Sequence, residues 1–190
     1  MYICPCIAYN KNTFTMEALP MKNIVLIGMP GTGKSTVGKA LAERFGYDFV
    51  DADDLIVQTT GKTLPEILRQ DGLEAFYKIE NKVGTDLNRT HTVIATGGSM
   101  VLYPEAMAHL KEGSTVIWLQ TPFSQLEKRM PADLYDRGIA VPAGTPLREI
   151  YEERCVLYAR YADLIVVSQD GESDTARLVE DVMRTVGLET

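Results

Sequence analysis

The run Gly28-Met29-Pro30-Gly31-Thr32-Gly33-Lys34-Ser35 carries glycines, a lysine and a hydroxyl at the spacing G-x-x-x-x-G-K-[ST]. Glycines let the backbone bend so that successive N–H groups point inward at phosphate oxygens. A helix opening at this point adds its positive N-terminal end. In such a loop Lys34 reaches the β- and γ-phosphates, and the Ser35 hydroxyl ligates Mg²⁺. The nucleotide candidates are therefore Gly28, Gly31, Thr32, Gly33, Lys34, Ser35 and Thr36. A chance glycine-rich turn is the competing explanation, but here the motif follows a short apolar run and opens a helical pattern, the context that favours a phosphate loop.

Asp51-Ala52-Asp53 ends a second apolar run, Phe49 to Asp53, read as a strand. Residues two apart on a strand share a face, so both carboxylates would project together. In open α/β sheets ligands sit beyond the carboxyl ends of the strands, which brings this pair near the glycine loop. One carboxylate would hold the hydrated Mg²⁺ and the other orient or deprotonate an acceptor hydroxyl. The alternative is a solvated loop, or a cap for a helix starting near Asp54. A third run ends in Thr96-Gly97-Gly98-Ser99, where paired glycines permit close approach of backbone and ligand; a plain tight turn would look the same. Pro131 to Thr145 has no clear periodicity, and loops of that length often act as lids. Arg137 lies within it, between Arg129 and Arg154 on the flanking helical segments. An arginine taken singly is as readily a solvated surface residue.

The elements that must position these residues alternate along the chain. Apolar strands are expected at Ile24 to Gly28, Phe49 to Asp53, Val93 to Thr96, Thr115 to Leu119 and Leu164 to Val167. Helices are expected at Lys34 to Phe45, around Asp54 to Thr60 and Leu64 to Arg69, at Leu73 to Leu87, Pro122 to Met130, Leu147 to Arg160 and Asp174 to Thr185. In the Leu73 segment, Phe76, Ile79, Val83 and Leu87 fall on one helix face. Continuous apolar strands separated by helices mean βαβ units and a parallel sheet covered on both faces, a three-layer α/β domain.

A chain of 190 residues with 45% hydrophobic content suits a single domain, here from residue 21 to 190. Residues 1–20 show no periodicity and read as an extension without chemistry. A net charge of -7 argues against a nucleic-acid partner, which needs a basic footprint. No apolar run approaches the roughly 18 residues of a membrane span, and the opening residues lack a signal peptide's basic and apolar regions. A cytoplasmic monomer acting on a small molecule is the expectation. Cys4, Cys6 and Cys155 give no disulfide framework.

From Met21 to about Val167 the chain resembles the shikimate kinase family. The resemblance is carried by GMPGTGKST, FVDADDLI, TGKTLPEIL, DGLEAFYKIE, ATGGS, a lid arginine and EERCVLYARYADLIV, in that order. It implies a P-loop fold with a five-stranded parallel sheet ordered 2-3-1-4-5 and a lid. The activity implied is phosphoryl transfer from ATP, with Mg²⁺, to a hydroxyl of shikimate. Carried over by position, Lys34 and Ser35 match the phosphate and Mg²⁺ residues and Asp51 the Mg²⁺-linked aspartate. Asp53 matches the aspartate that contacts substrate hydroxyls and acts as base. Gly97 and Gly98 match the first two glycines of a GGG substrate turn, and Arg137 the lid arginine that makes the third catalytic candidate. Arg129 matches an arginine near the adenine, and Arg154 one of two that hold the shikimate carboxylate. The other of those two is Tyr77 here, the third glycine is Ser99, and the lid reads Arg-Gly-Ile-Ala-Val. All three departures fall on the acceptor or lid side. The residues alone leave open a kinase for another hydroxylated acid or polyol, a nucleoside monophosphate kinase, or a nucleotide-binding regulatory module without turnover.

Overall fold

Asn23–Ile27 is apolar after its first residue and buried throughout, and it forms the central strand, β1. The structure, a computed structural model, describes residues 23–131, 133–168 and 175–186; the expected extension, Cys4, Cys6 and the start of the last predicted helix lie outside the described residues. After β1 come α1 (Lys34–Phe45), β2 (Asp48–Asp51), α2 (Ala52–Thr60), α3 (Leu64–Gln70), α4 (Leu73–Asp86) and β3 (Thr92–Ala95). Then follow α5 (Pro104–Lys111), β4 (Ser114–Gln120), α6 (Phe123–Arg129), α7 (Leu147–Tyr161), β5 (Leu164–Val167) and α8 (Thr175–Thr185). All strand pairings are parallel and the order is β2-β3-β1-β4-β5, as the resemblance implied.

Alternation along the inner strands divides the core. Val25, Ile27, Val116 and Trp118 face a cluster that Met107, Ile150 and Tyr158 fill from α5 and α7. Ile24, Leu26, Ile117 and Leu119 face the opposite cluster, closed by Val37 and Leu41 of α1 and Val182 of α8. A smaller cluster joins Ile56, Ile67, Leu68 and Phe76 to Ala140. Local chemistry sets several boundaries. Thr63 and Glu66 form a capping box at the start of α3, each side chain accepting the other's backbone N–H. Gly46 and Gly61 end α1 and α2 in the left-handed conformation.

Three expectations are corrected. The second strand stops at Asp51, and Asp53 lies in the first turn of α2, so the two carboxylates do not share a strand face. The Asp51 side chain instead caps α2, accepting the Asp53 N–H at 3.0 Å, because an N-cap carboxylate satisfies an otherwise orphaned donor. The helix α5 was not expected; Pro104 at its start and buried Ala106, Met107 and Leu110 are its signals. The stretch 131–145 is not uniformly irregular: Leu134–Arg137 forms a 3-10 turn, and Ile139, Ala140 and Val141 are core residues.

Candidate active site

The phosphate loop links β1 to α1. Gly31 and Gly33 have φ of 78° and 91°, a left-handed backbone that only glycine adopts readily. Gly33 caps α1 without any side-chain bond, which leaves the first N–H groups of the helix for a ligand. Lys34 is buried, and its Nζ donates to Gly28 O at 2.8 Å and Met29 O at 3.0 Å. Burial holds its pKa down at about 8, against the opposing pull of Asp53 and Asp51.

Ser35 Oγ donates to Asp51 Oδ2 at 2.5 Å. A hydroxyl and a carboxylate side by side at the mouth of a phosphate loop fit Mg²⁺, which takes one or two protein oxygens and completes its shell with phosphates and water. Among the described residues no cluster of three or more His, Cys, Asp or Glu could hold a metal ion by itself. Bound there, Mg²⁺ would neutralise charge on the transferring phosphate.

Beyond the loop lies a cavity of about 240 Å³, whose lining includes Lys34, Ser35, Asp53, Glu80, Arg137 and Arg154. Gly31, Gly33, Thr36 and Gly98 also contribute to the wall. Asp53 is half-buried, and burial, reinforced by the Asp51 carboxylate and offset by Lys34, raises its pKa to about 6. Gly97 allows the closest approach in the site: a Cβ there would collide with Glu80 Oε1 and stand 2.9 Å from Asp53 Oδ1. Arg154, projecting from α7, is 2% exposed and donates through Nη2 to Ala140 O at 2.8 Å. The exposed Arg137 lines the same cavity from the 3-10 turn.

Other expected residues stand around this group rather than on the cavity wall. Gly28 and Thr32 are in the loop, with Gly28 packed against Leu119 O. Arg129 Nη1 donates to Gly31 O at 3.2 Å, touching the loop from α6. Tyr77 stands just behind the wall: its hydroxyl donates to Ala140 O at 3.5 Å, the carbonyl that Arg154 also meets, and its ring packs edge-on against Tyr103, centroids 5.9 Å apart.

Glu80 was not singled out from the sequence. It is 1% exposed on α4, where its Oε2 accepts from Ser99 Oγ at 2.6 Å and Tyr103 Oη at 2.9 Å. Burial pushes its pKa up to about 7, the two hydroxyl donors opposing the shift. The signal was present: Glu80 follows Phe76 by four residues, and Gly84 follows by four more, which places an acid on the buried stripe of α4.

The arrangement can grip a polyphosphate, deprotonate or orient a hydroxyl, and hold an anionic group on an interior arginine. Comparison with known proteins shows the family. The shikimate kinase family model matches residues 30–186. The shikimate kinase of Synechococcus sp. (strain RCC307) is 41% identical over 168 residues, covering 86% of this chain and 85% of its own. That of Persephonella marina is 38% identical over 154 residues, covering 80% and 92%. Among solved structures, the shikimate kinase from Acinetobacter baumannii in complex with shikimate aligns with a TM-score of 0.77 at 29% identity, over 87% of this chain and 93% of that one. Shikimate kinase from Aquifex aeolicus aligns at 0.71 and 30% identity, over 87% and 96%.

Proposed function

The chain belongs to the shikimate kinase family, and from that we propose that it transfers the γ-phosphoryl group of ATP to a hydroxyl of shikimate, giving 3-phosphoshikimate and ADP. The supporting observation is one cavity that combines a phosphate loop with a carboxylate of raised pKa and a buried arginine. Lys34 leaves the loop carbonyls for the β- and γ-phosphates. Ser35 and Asp51 hold Mg²⁺, and Gly28, Gly31, Thr32, Gly33 and Thr36 surround the phosphates, with Arg129 bracing the loop on the adenine side. Asp53 accepts the proton of the attacking hydroxyl, Arg137 covers the transferring phosphoryl group, and Arg154 takes the substrate carboxylate beside Gly97 and Gly98. Phosphoryl transfer needs little more than this, because positioning and charge stabilisation supply most of the acceleration. Residues 131–145 act as the lid. No helix among the described residues is long and apolar enough to cross a membrane, which suits a cytoplasmic enzyme. Coupled ADP release, measured with and without shikimate, tests the assignment; nucleotide binding without shikimate-dependent turnover would refute it.

A further inference from the structure

One hydroxyl holds the Gly97-Gly98-Ser99 turn from behind. Tyr158, on α7 and 0% exposed, donates to Gly98 O at 2.6 Å, and its ring lies against Trp118, centroids 5.8 Å apart. Met29 Sδ, at 3.8 Å, is a weaker acceptor, so the single phenolic hydrogen belongs to the carbonyl. The peptide is trans, and its C=O and N–H therefore point to opposite sides. Drawing the Gly98 carbonyl back to α7 turns the Ser99 N–H away from that helix. The N–H groups of Gly98 and Ser99 have no backbone partner among the described residues, and both residues line the cavity. Gly98 is also pressed against the phosphate loop, where a Cβ would stand 2.6 Å from Pro30 Cδ.

The same tyrosine follows Arg154 by one helical turn. With its hydrogen committed to Gly98, the Tyr158 oxygen has only lone pairs left to offer the guanidinium. Burial pushes the Tyr158 pKa up, and Arg154 is the charge that most opposes the rise. Tyr77, on α4, shows the same pattern: burial raises its pKa and Arg154 opposes it most. The Tyr77 hydroxyl also donates to Ala140 O at 3.5 Å, the carbonyl that Arg154 Nη2 meets at 2.8 Å. A carbonyl has two lone pairs, so the two donors can share it. Two tyrosines from different helices thus flank one buried guanidinium. Neither lines the cavity itself; both stand behind groups that do.

We propose that Tyr158, assisted by Tyr77, is a positioning residue for the acceptor: it orients the Gly98–Ser99 peptide, and the two tyrosines together fix the Arg154 guanidinium. The proposal rests on the acceptor reading above and adds residues that touch no substrate atom. Groups fixed before the acceptor arrives lower the ordering cost of binding it. Loosening them should weaken the acceptor site and spare the nucleotide site, whose lysine and loop glycines neither hydroxyl holds.

The test is steady-state ADP release by the full-length chain with ATP, Mg²⁺ and shikimate. In Tyr158→Phe the KM for shikimate should rise roughly two- to ten-fold, the scale of one net hydrogen bond, with the KM for ATP unchanged. Trp118→Phe loosens the packing of the same ring without removing the hydroxyl, and it should leave the KM for shikimate where it is. Tyr77→Phe, at a half-buried position, should raise the KM for shikimate by a smaller factor, and it decides the matter if Tyr158→Phe does not melt cooperatively. Equal rises in both KM values, or an equal rise in Trp118→Phe, would make Tyr158 a packing residue and overturn the proposal. An unchanged KM for shikimate in the folded tyrosine variants would overturn it too, and leave the shikimate assignment standing. No shikimate-dependent ADP release from wild-type protein that binds ATP would sink the acceptor reading, and this proposal with it.

Discussion

Asp53 and Lys34 carry opposite perturbations from the same cause. Burial disfavours the charged form of each, raising the carboxyl to about 6 and lowering the ammonium to about 8. Since Asp53 must be ionised to accept a proton, kcat/KM for the acceptor should rise with pH through about 6. Asp53→Asn keeps the shape and removes the base, so kcat should fall by about 10²–10⁴-fold, and the acidic limb of the profile should disappear. Steady-state kinetics between pH 5 and 8 check both; a variant that retained full kcat would reduce Asp53 to a helix residue. Lys34 must keep its proton, so kcat/KM for ATP should decline as pH passes about 8. At saturating nucleotide the decline should move to higher pH, because bound phosphates stabilise the ammonium.

Two elements border the site from opposite sides. The 3-10 turn that carries Arg137 is tied to α3 by Arg69, which pairs with Asp136 and, at 3.4 Å, with Asp133. These pairs are solvent-exposed, and such pairs contribute about 0–1 kcal/mol, so Arg69→Ala should hardly move Tm. Arg137→Ala should leave ATP affinity nearly intact and lower kcat, since a lid arginine matters most once both substrates are enclosed; isothermal titration beside steady-state kinetics separates the two effects. At the other wall, α4 and the Gly97 turn approach so closely that Gly97→Ala drives a methyl group into Glu80 Oε1. Overpacking of this kind costs about 1–3 kcal/mol. Adding Glu80→Ala should restore part of the loss, and a double-mutant cycle by chemical denaturation would measure the coupling.

The whole molecule has a pH dependence of stability set largely from inside the site. Glu80 and Asp53 have folded-state pKa values raised to about 7 and about 6, above their unfolded values. A raised acid contributes stability that is complete below its unfolded pKa and is lost as pH rises through the folded one. Tm of the nucleotide-free protein should therefore fall as pH goes from about 4.5 to 8. In Glu80→Gln the part of that fall that Glu80 contributes between about 4.5 and about 7 should be absent. A thermal melt series across this range decides it, and equal slopes in the two proteins would mean that Glu80 does not titrate there. The sheet bears little of this burden, because β1 and β4 are occupied by apolar side chains on both faces.

The phosphate loop was fully legible in the sequence because its chemistry is local: a glycine pattern, a lysine and a hydroxyl within eight consecutive residues, between a strand and a helix. Strand order was not local, and it became legible only through likeness to a family whose segments keep the same succession. The Asp51-Ala52-Asp53 turn was misjudged by two residues, since capping of α2 by Asp51 competes with continuing the strand, and the sequence pattern favours neither. Glu80 escaped notice for the opposite reason. Its spacing from Phe76 and Gly84 marks a buried position, but only folding brings Ser99 and Tyr103, far along the chain, onto its carboxylate. Sequence determines which groups exist and what each can do alone. Only the tertiary structure decided that one carboxylate and one guanidinium would be buried together with a bond to spare on each, because desolvation and unpaired hydrogen-bonding capacity arise only when distant segments pack.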